Sequence, residues 1–365
     1  MAYGRTAVQG LALLICLVIG ACGPGNPEKA VVSEAPTVAA PGAIAVKSTT
    51  LAAVRQRRRL NCGVHEPMPG FAEQDARGVW RGFDVDFCRA VAAAVLGDAR
   101  LVTFLPQTVK DRFAALQTGQ VDLLSAGAAW TFTRDAGLPV DFVGVAYYDS
   151  QGLLARGTPD LATAAQLRGK RVCVEAASAA AENLAEFNRT SRLRMRAVPL
   201  DSDVLARQTY EAGGCDAISA DISVLAAYRS LLADPAAHVI LGESLSRAPR
   251  GPSVRDTDPA WEDIVRWTLN ALILAEELGI TSQTVQAARR RPATNEVERL
   301  LVGDGNGRLL GLRDDWAFEA IRQVGNYGEV FERNLGPQTP LGLQRGSNAL
   351  ASSEPQGLLY ALPMR

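Results

Sequence analysis

The chain has 365 residues, with 38 Lys+Arg against 39 Asp+Glu and a formal net charge of −1. That length suits two lobes or domains rather than one small module, and the balanced charge excludes a strongly basic nucleic-acid binder. Hydrophobic residues make up 47% and charged residues 21%, the proportions of a folded globular protein rather than a disordered one. The two histidines, His65 and His238, lie far apart with no Cys or His at ligand spacing, so neither a metal site nor a His-based triad is expected.

Residues 1–21 read as an export signal. Arg5 supplies the positive start, and residues 11–19 form an apolar stretch shorter than a membrane span. The run closes on Ile19, Gly20, Ala21 and Cys22, a lipobox-like ending that would make Cys22 the lipidated first residue of the mature chain. An ordinary cleaved signal is the alternative. Several acyl chains on Cys22 would hold the protein stably at a membrane surface. Residues 22–50, with Pro24, Pro27, Pro36 and Pro41 and no hydrophobic periodicity, read as anchor and flexible tether.

From residue 51 onward strands and helices alternate. The pattern predicts a strand at 60–64, a helix at 84–97, a strand at 100–105, a helix at 110–118 closed by Gly119 at C′, and a strand at 121–125. It restarts near Gly152, with strands at 151–156, 171–174 and 215–219 and helices at 179–189, 202–212 and 222–232. A strand at 253–255 and a long amphipathic helix at 259–277 follow. This rhythm predicts mainly parallel α/β sheets covered by helices. Lobe 1 would span 51–149, lobe 2 would span 150–245, and 246–365 would return to lobe 1 with a C-terminal extension. Extended segments near 147–153 and 242–253 would join the lobes, leaving a cleft lined by strand-to-helix turns.

Setting aside Cys16 and Cys22, four cysteines remain: Cys62, Cys88, Cys173 and Cys215. In an exported chain they allow three pairings. The favoured one joins Cys62 on the first strand to Cys88 one turn into the first helix, and Cys173 to Cys215 between two strands of the second lobe. Four buried free thiols are the alternative.

Several stretches carry a family likeness: 60–64 (LNCGV), 82–88 (GFDVDFC), 110–117 (KDRFAALQ), 144–152 (GVAYYDSQG), 315–317 (DWA) and 324–334 (VGNYGEVFERN). Together they resemble the periplasmic solute-binding proteins of amino-acid ABC transporters, in the general L-amino-acid-binding branch, over residues 58–365. The resemblance implies an α/β, two-lobe periplasmic-binding-protein fold (type II), with two crossover strands and a ligand cleft that closes on its ligand. It implies a periplasmic monomer, here held to a membrane by the lipid expected on Cys22, that is not an enzyme and uses no cofactor, metal or nucleic acid. The implied partners are a small-molecule ligand, an amino acid above all, and the transporter's permease and ATPase subunits.

The resemblance also assigns handles. Arg134 would pair the ligand α-carboxylate and Asp221 its ammonium, because a closed cleft must pair both charges. Read alone, Arg134 is a surface arginine at a helix and Asp221 a plain N-cap. Ser178, Ala129, Trp130 and Met68 complete the expected lining, with Met68 over the ligand. Where the family commonly carries hydroxyls, this chain has Gly127, Ala128 and Ala129, and Ala177-Ser178-Ala179 stands for a usual Gly-Thr-Thr run. These departures point to weakened amino-acid binding or a changed ligand. Phe71 reads as core, Tyr147 and Tyr148 as hinge residues, and Asp84 and Asp86 as a structural pair at a helix start. Two other functions fit the scaffold: a non-transport sensor, and a dehydratase-like enzyme with Glu175 as acid or base.

Overall fold

The computed structural model describes residues 47–157, 163–176, 178–303 and 305–365. The export signal, Cys22, nearly all of the tether and Ala177 lie outside them.

The described chain opens with helix α1 (Thr49–Arg57), so residues 48–50 belong to an ordered cap rather than to the expected tether. Ser48 Oγ accepts the Leu51 amide at 2.9 Å. Asp258 then collects the Ser48 and Thr49 hydroxyls and the Thr50 amide, while its other oxygen caps a later helix through the Trp261 amide. A segment with two β-branched residues at its start is fixed by a carboxylate 208 positions away, which no local pattern reports.

Strand β1 (Leu60–His65), helix α2 (Phe83–Leu96), β2 (Val102–Gln107), α3 (Arg112–Gln117), β3 (Leu123–Ser125) and β4 (Val140–Phe142) follow. Next come β5 (Tyr147–Asp149), β6 (Gln151–Arg156), β7 (Arg171–Glu175), α4 (Ala179–Ser191), β8 (Arg196–Leu200), α5 (Asp203–Glu211), β9 (Ala217–Asp221), α6 (Ile222–Leu231) and β10 (His238–Ile240). The chain returns through β11 (Ala248–Arg250) and β12 (Ser253–Arg255) to α7 (Pro259–Glu277), α8 (Trp316–Val324) and α9 (Tyr327–Asn334). The expected strands at 100–105 and 215–219 begin two residues later than read. Strand α-carbons pair from Ala217 onward, while the Asp216 carboxylate takes the Arg171 amide at 2.8 Å.

Two five-stranded sheets result. In lobe 1 the order is β2-β1-β3-β12-β4, with β1, β2 and β3 parallel and β12 antiparallel to both neighbours. In lobe 2 it is β8-β7-β9-β6-β10, with β7, β8 and β9 parallel. Alternation along the lobe 2 strands builds a core on each face. Leu153, Val172, Val174 and Ala217 pack with Leu184 and Met195 on one face. Leu154, Cys173 and Ile218 pack with Tyr210 and Leu225 on the other.

Both favoured cysteine pairs are disulfides: Cys62–Cys88 ties β1 to α2, and Cys173–Cys215 ties β7 to the lead-in of β9. Strands β5 and β11 pair antiparallel as the two crossovers, with Ala248 opposite Asp149 and Arg250 opposite Tyr147. Tyr147 is buried among Phe71, Phe83 and Phe331, so the hinge ribbon is anchored in the lobe 1 core. A side chain from the C-terminal segment clasps the same ribbon. Asn348 Oδ1 accepts the Tyr148 amide at 2.6 Å, and its Nδ2 donates to the Tyr148 carbonyl at 3.0 Å.

Candidate functional site

The ends of β1, β3, β7 and β9 converge where an open α/β sheet presents its loops. A cleft of about 850 Å³ lies there, lined by both lobes and by the returning crossover. Among the described residues, no group of three or more His, Cys, Asp or Glu could hold a metal ion.

The lobe 1 wall is cationic. Arg134 sits on the short helix after β3, and its Nη1 donates to the Ala129 carbonyl at 2.8 Å while the guanidinium lies over the Phe113 ring. Burial holds its pKa below the usual value, and Asp221 works against that. Arg112, at the start of α3, is 5% exposed. Its Nη1 donates to the Ala126 carbonyl at 3.1 Å, but its Nε has no partner. Burial, then the nearby charges of Arg134 and Arg250, pushes Arg112 down to about 9. Among the described residues, no carboxylate lies within salt-bridge distance of Arg112 or Arg134. His65 closes this wall, its pKa held down by burial.

The lobe 2 wall is acidic and carries a hydrogen-bonded network around Gln151. Asp221 ends β9, and although it stands at the N-cap position of α6, its side chain makes no capping bond there. The carboxylate instead accepts from Arg250 and keeps about a third of its surface exposed toward the cleft. Gln151 lies 1% exposed beside it. Gln151 donates to Ser219 Oγ and to the Ala180 carbonyl, both at 2.8 Å, and accepts from Asn183 at 3.0 Å. Asp203 accepts the Tyr228 hydroxyl at 2.6 Å. Glu175, half-buried at the end of β7, has its pKa raised by burial and by Asp203.

Of the residues expected from the sequence, Arg134, Asp221, Ser178 and Ala129 line this cleft together. Ser178 also caps α4: its Oγ accepts the Ala181 amide at 3.2 Å and donates to the Glu175 carbonyl at 2.7 Å. Its proton is therefore already committed. Met68 and Trp130 are not among the residues that line the cleft. A bridge to Ala72 turns the Met68 loop back on itself, and Met68 is buried in the lobe 1 core rather than over the cleft. Trp130 stacks on Phe142 with ring centroids 5.5 Å apart and donates Nε1 to Asp135, which holds it away from the lining. Asp86 is structural, accepting from Arg89, Arg333 and Asn334. Asp84 is buried under Ser125, and burial raises its pKa to about 7.

Sequence reasoning missed Arg112, Gln151 and Arg250. Arg112 lies inside the 110–117 stretch that carries the family likeness, but nothing local separates a buried arginine from a solvated one.

The family model for bacterial extracellular solute-binding proteins, family 3, matches residues 60–284. The chain is 42% identical over 331 residues to the general L-amino acid-binding periplasmic protein AapJ of Rhizobium johnstonii, covering 90% of this chain and 96% of that one. It is 43% identical over 322 residues to the glutamate/glutamine/aspartate/asparagine-binding protein BztA of Rhodobacter capsulatus, covering 88% of this chain and 95% of the relative. A solved ABC transporter/periplasmic binding protein from Brucella ovis with glutathione bound superposes with a TM-score of 0.81. It is 42% identical and covers 87% of this chain and 100% of its own. The two stapled lobes, the paired crossovers and the cleft between them agree with these matches, and the chain belongs to the bacterial extracellular solute-binding proteins, family 3.

Proposed function

We propose that the protein is the extracytoplasmic receptor of an amino-acid ABC importer, capturing an amino acid or a similar small zwitterion between its lobes. One observation carries this reading: Arg134, a guanidinium with no carboxylate partner among the described residues, stands on one wall of the cleft, and Asp221, a carboxylate with about a third of its surface exposed, on the other. Arg134 would hold the α-carboxylate in a bidentate pair and Asp221 the ammonium. Contacts to both lobes would favour the closed state, since only differential affinity shifts such an equilibrium. Cys22 would tether the receptor to a membrane on the periplasmic side, as a monomer that hands its ligand to the permease.

Titration calorimetry against the common amino acids and glutathione tests this. Saturation with a true ligand at one hundred times Kd should also add about 2.7 kcal/mol of stability. Arg134→Ala and Asp221→Ala should each abolish binding, and the absence of binding to any of these compounds would overturn the reading. A dehydratase-like activity has one observation in its favour, the raised pKa of Glu175 in the cleft. Turnover of a prephenate-like substrate that is lost in Glu175→Gln would establish it, and no turnover would remove it.

A further inference from the structure

Arg250 is the residue that makes this cleft more than a simple zwitterion site. It stands on the returning crossover with 7% of its side chain exposed. Its Nη2 lies 3.0 Å from Asp149 on the outgoing crossover and also donates to Asp221 on lobe 2. Asp149 is held in turn by the Ser223 hydroxyl at 2.5 Å and the Ser150 amide at 2.9 Å. Lobe 1 has been cleared for the guanidinium. A Cβ on Gly127 would lie 3.1 Å from Arg250 Nη1, and the φ of +56° there already favours glycine. Ala129 pairs with Arg250 in a backbone bridge, and the Trp130 amide donates to the Pro249 carbonyl at 2.7 Å. The small residues standing where hydroxyls are usual thus accommodate one cation that touches both crossovers and both lobes.

The charges around it do not balance. Arg112, Arg134 and Arg250 face Asp149 and Asp221, and of the three arginines only Arg250 makes an ion pair with either carboxylate. Asp84, behind Arg250, is raised to about 7 by burial and so carries only part of a charge at neutral pH. The two remaining lining carboxylates, Glu175 and Asp203, make no ion pair with these three arginines, and Asp203 reaches His65 on the opposite wall. Asp203 accepts from Tyr228, and the charged group acting on Glu175 is Asp203, not an arginine. The centre of the cleft therefore holds a positive excess, and Arg112 Nε is a buried donor with no acceptor.

We propose that Arg250 is a specificity-determining residue. By bridging Asp149 and Asp221 it takes up negative charge that a simple amino acid's ammonium would otherwise have to itself. Arg112 and Arg134 then select a ligand with two carboxylates and one ammonium, an acidic amino acid or a small peptide with a second carboxylate. The inference rests on the receptor reading above.

Calorimetry on the full chain decides it, with two probe pairs that differ by one carboxylate: glutamate against glutamine, and glutathione against its glycine monoethyl ester. A charge within about 4–6 Å shifts an ionic equilibrium by 1–3 log units, so the wild type should prefer the dicarboxylate of a pair at least about tenfold. The double variant Asp149→Asn/Arg250→Met leaves neither buried charge unpaired. It should lose that preference and gain affinity for the monocarboxylate, whereas Arg250→Lys should keep it. Equal binding of both members of each pair by the wild type would overturn the proposal, as would an unchanged preference in the double variant. Binding of neutral amino acids without carboxylate preference sinks this inference alone, whereas no binding by any probe sinks the receptor reading with it. If the double variant does not fold, Arg112→Gln decides: a collapsed preference supports the proposal and an intact one refutes it.

Discussion

The two walls of the cleft are built on opposite terms. On lobe 2, Gln151, Ser219, Asn183 and the Ala180 carbonyl satisfy one another, Ser178 is spent on a helix cap, and Asp203 is taken by Tyr228. Around Arg250, on the lobe 1 side of the cleft, Arg112 Nε, Asp84 Oδ2 and Arg250 Nε are among the buried polar atoms without a partner, whereas the two among the described residues of lobe 2, Ser191 Oγ and Glu243 Oε2, lie off the cleft lining. Most buried polar groups in native proteins are paired, so a cluster of exceptions marks where structure has been given up for something else. Lobe 2 offers a surface whose amide and hydroxyl side chains are already paired with one another. Lobe 1 offers unspent hydrogen-bonding capacity that an anionic ligand can complete.

The largest expected effect tests the lobe 1 side through pH. Asp84 has a pKa of about 7 against an ordinary 3.8, so between those values the folded protein holds a proton that the unfolded chain has released. Stability should therefore fall as pH rises through this window, by up to about 4 kcal/mol, and Asp84→Asn should flatten the decline. Urea midpoints at pH 5 and pH 8 read this directly, and an unchanged slope in Asp84→Asn would break the contrast between the walls. A smaller effect belongs to lobe 2. Gln151→Ala strands the partners of a satisfied network and should cost about 1–3 kcal/mol in urea denaturation. The smallest expected change has the opposite sign. Arg112→Met removes a buried charge that has no counter-ion, so stability should stay level or rise by about 1 kcal/mol, while affinity for a dicarboxylate falls. If Arg112→Met were as damaging as Gln151→Ala, the two walls would not differ in kind.

Much of the scaffold was legible in the sequence because its signals are local. Asp258 before Pro259 and an apolar stripe define α7, and the observed helix spans Pro259–Glu277 as read. The cysteine pairing followed from placing each cysteine on its strand or helix. What escaped has long-range causes. With 34 arginines in the chain, no pattern separates Arg112 and Arg250 from the solvated majority, and their burial depends on elements far away in sequence. Helix α1 exists because Asp258 waits for it. Met68 and Trp130 looked like ligand contacts because loop side chains beside a cleft often are. A local bridge from Met68 to Ala72 and the stack of Trp130 on Phe142 hold them off the cleft lining instead.

The clasp of Asn348 on Tyr148 has a consequence for the order in which the protein is completed. Lobe 2 is one continuous stretch of chain, whereas lobe 1 and the hinge ribbon need both early and late residues. A polypeptide that emerges from its N-terminus can finish the lobe 2 sheet as soon as β10 is available. Tyr148 must wait for another 200 residues before its amide and carbonyl find their partner. During that interval the outgoing crossover has an open edge, able to pair with any extended strand nearby. The last few dozen residues thus act as the closing seam of the molecule, and a chain truncated before Asn348 would carry two formed sheets on an unfinished joint.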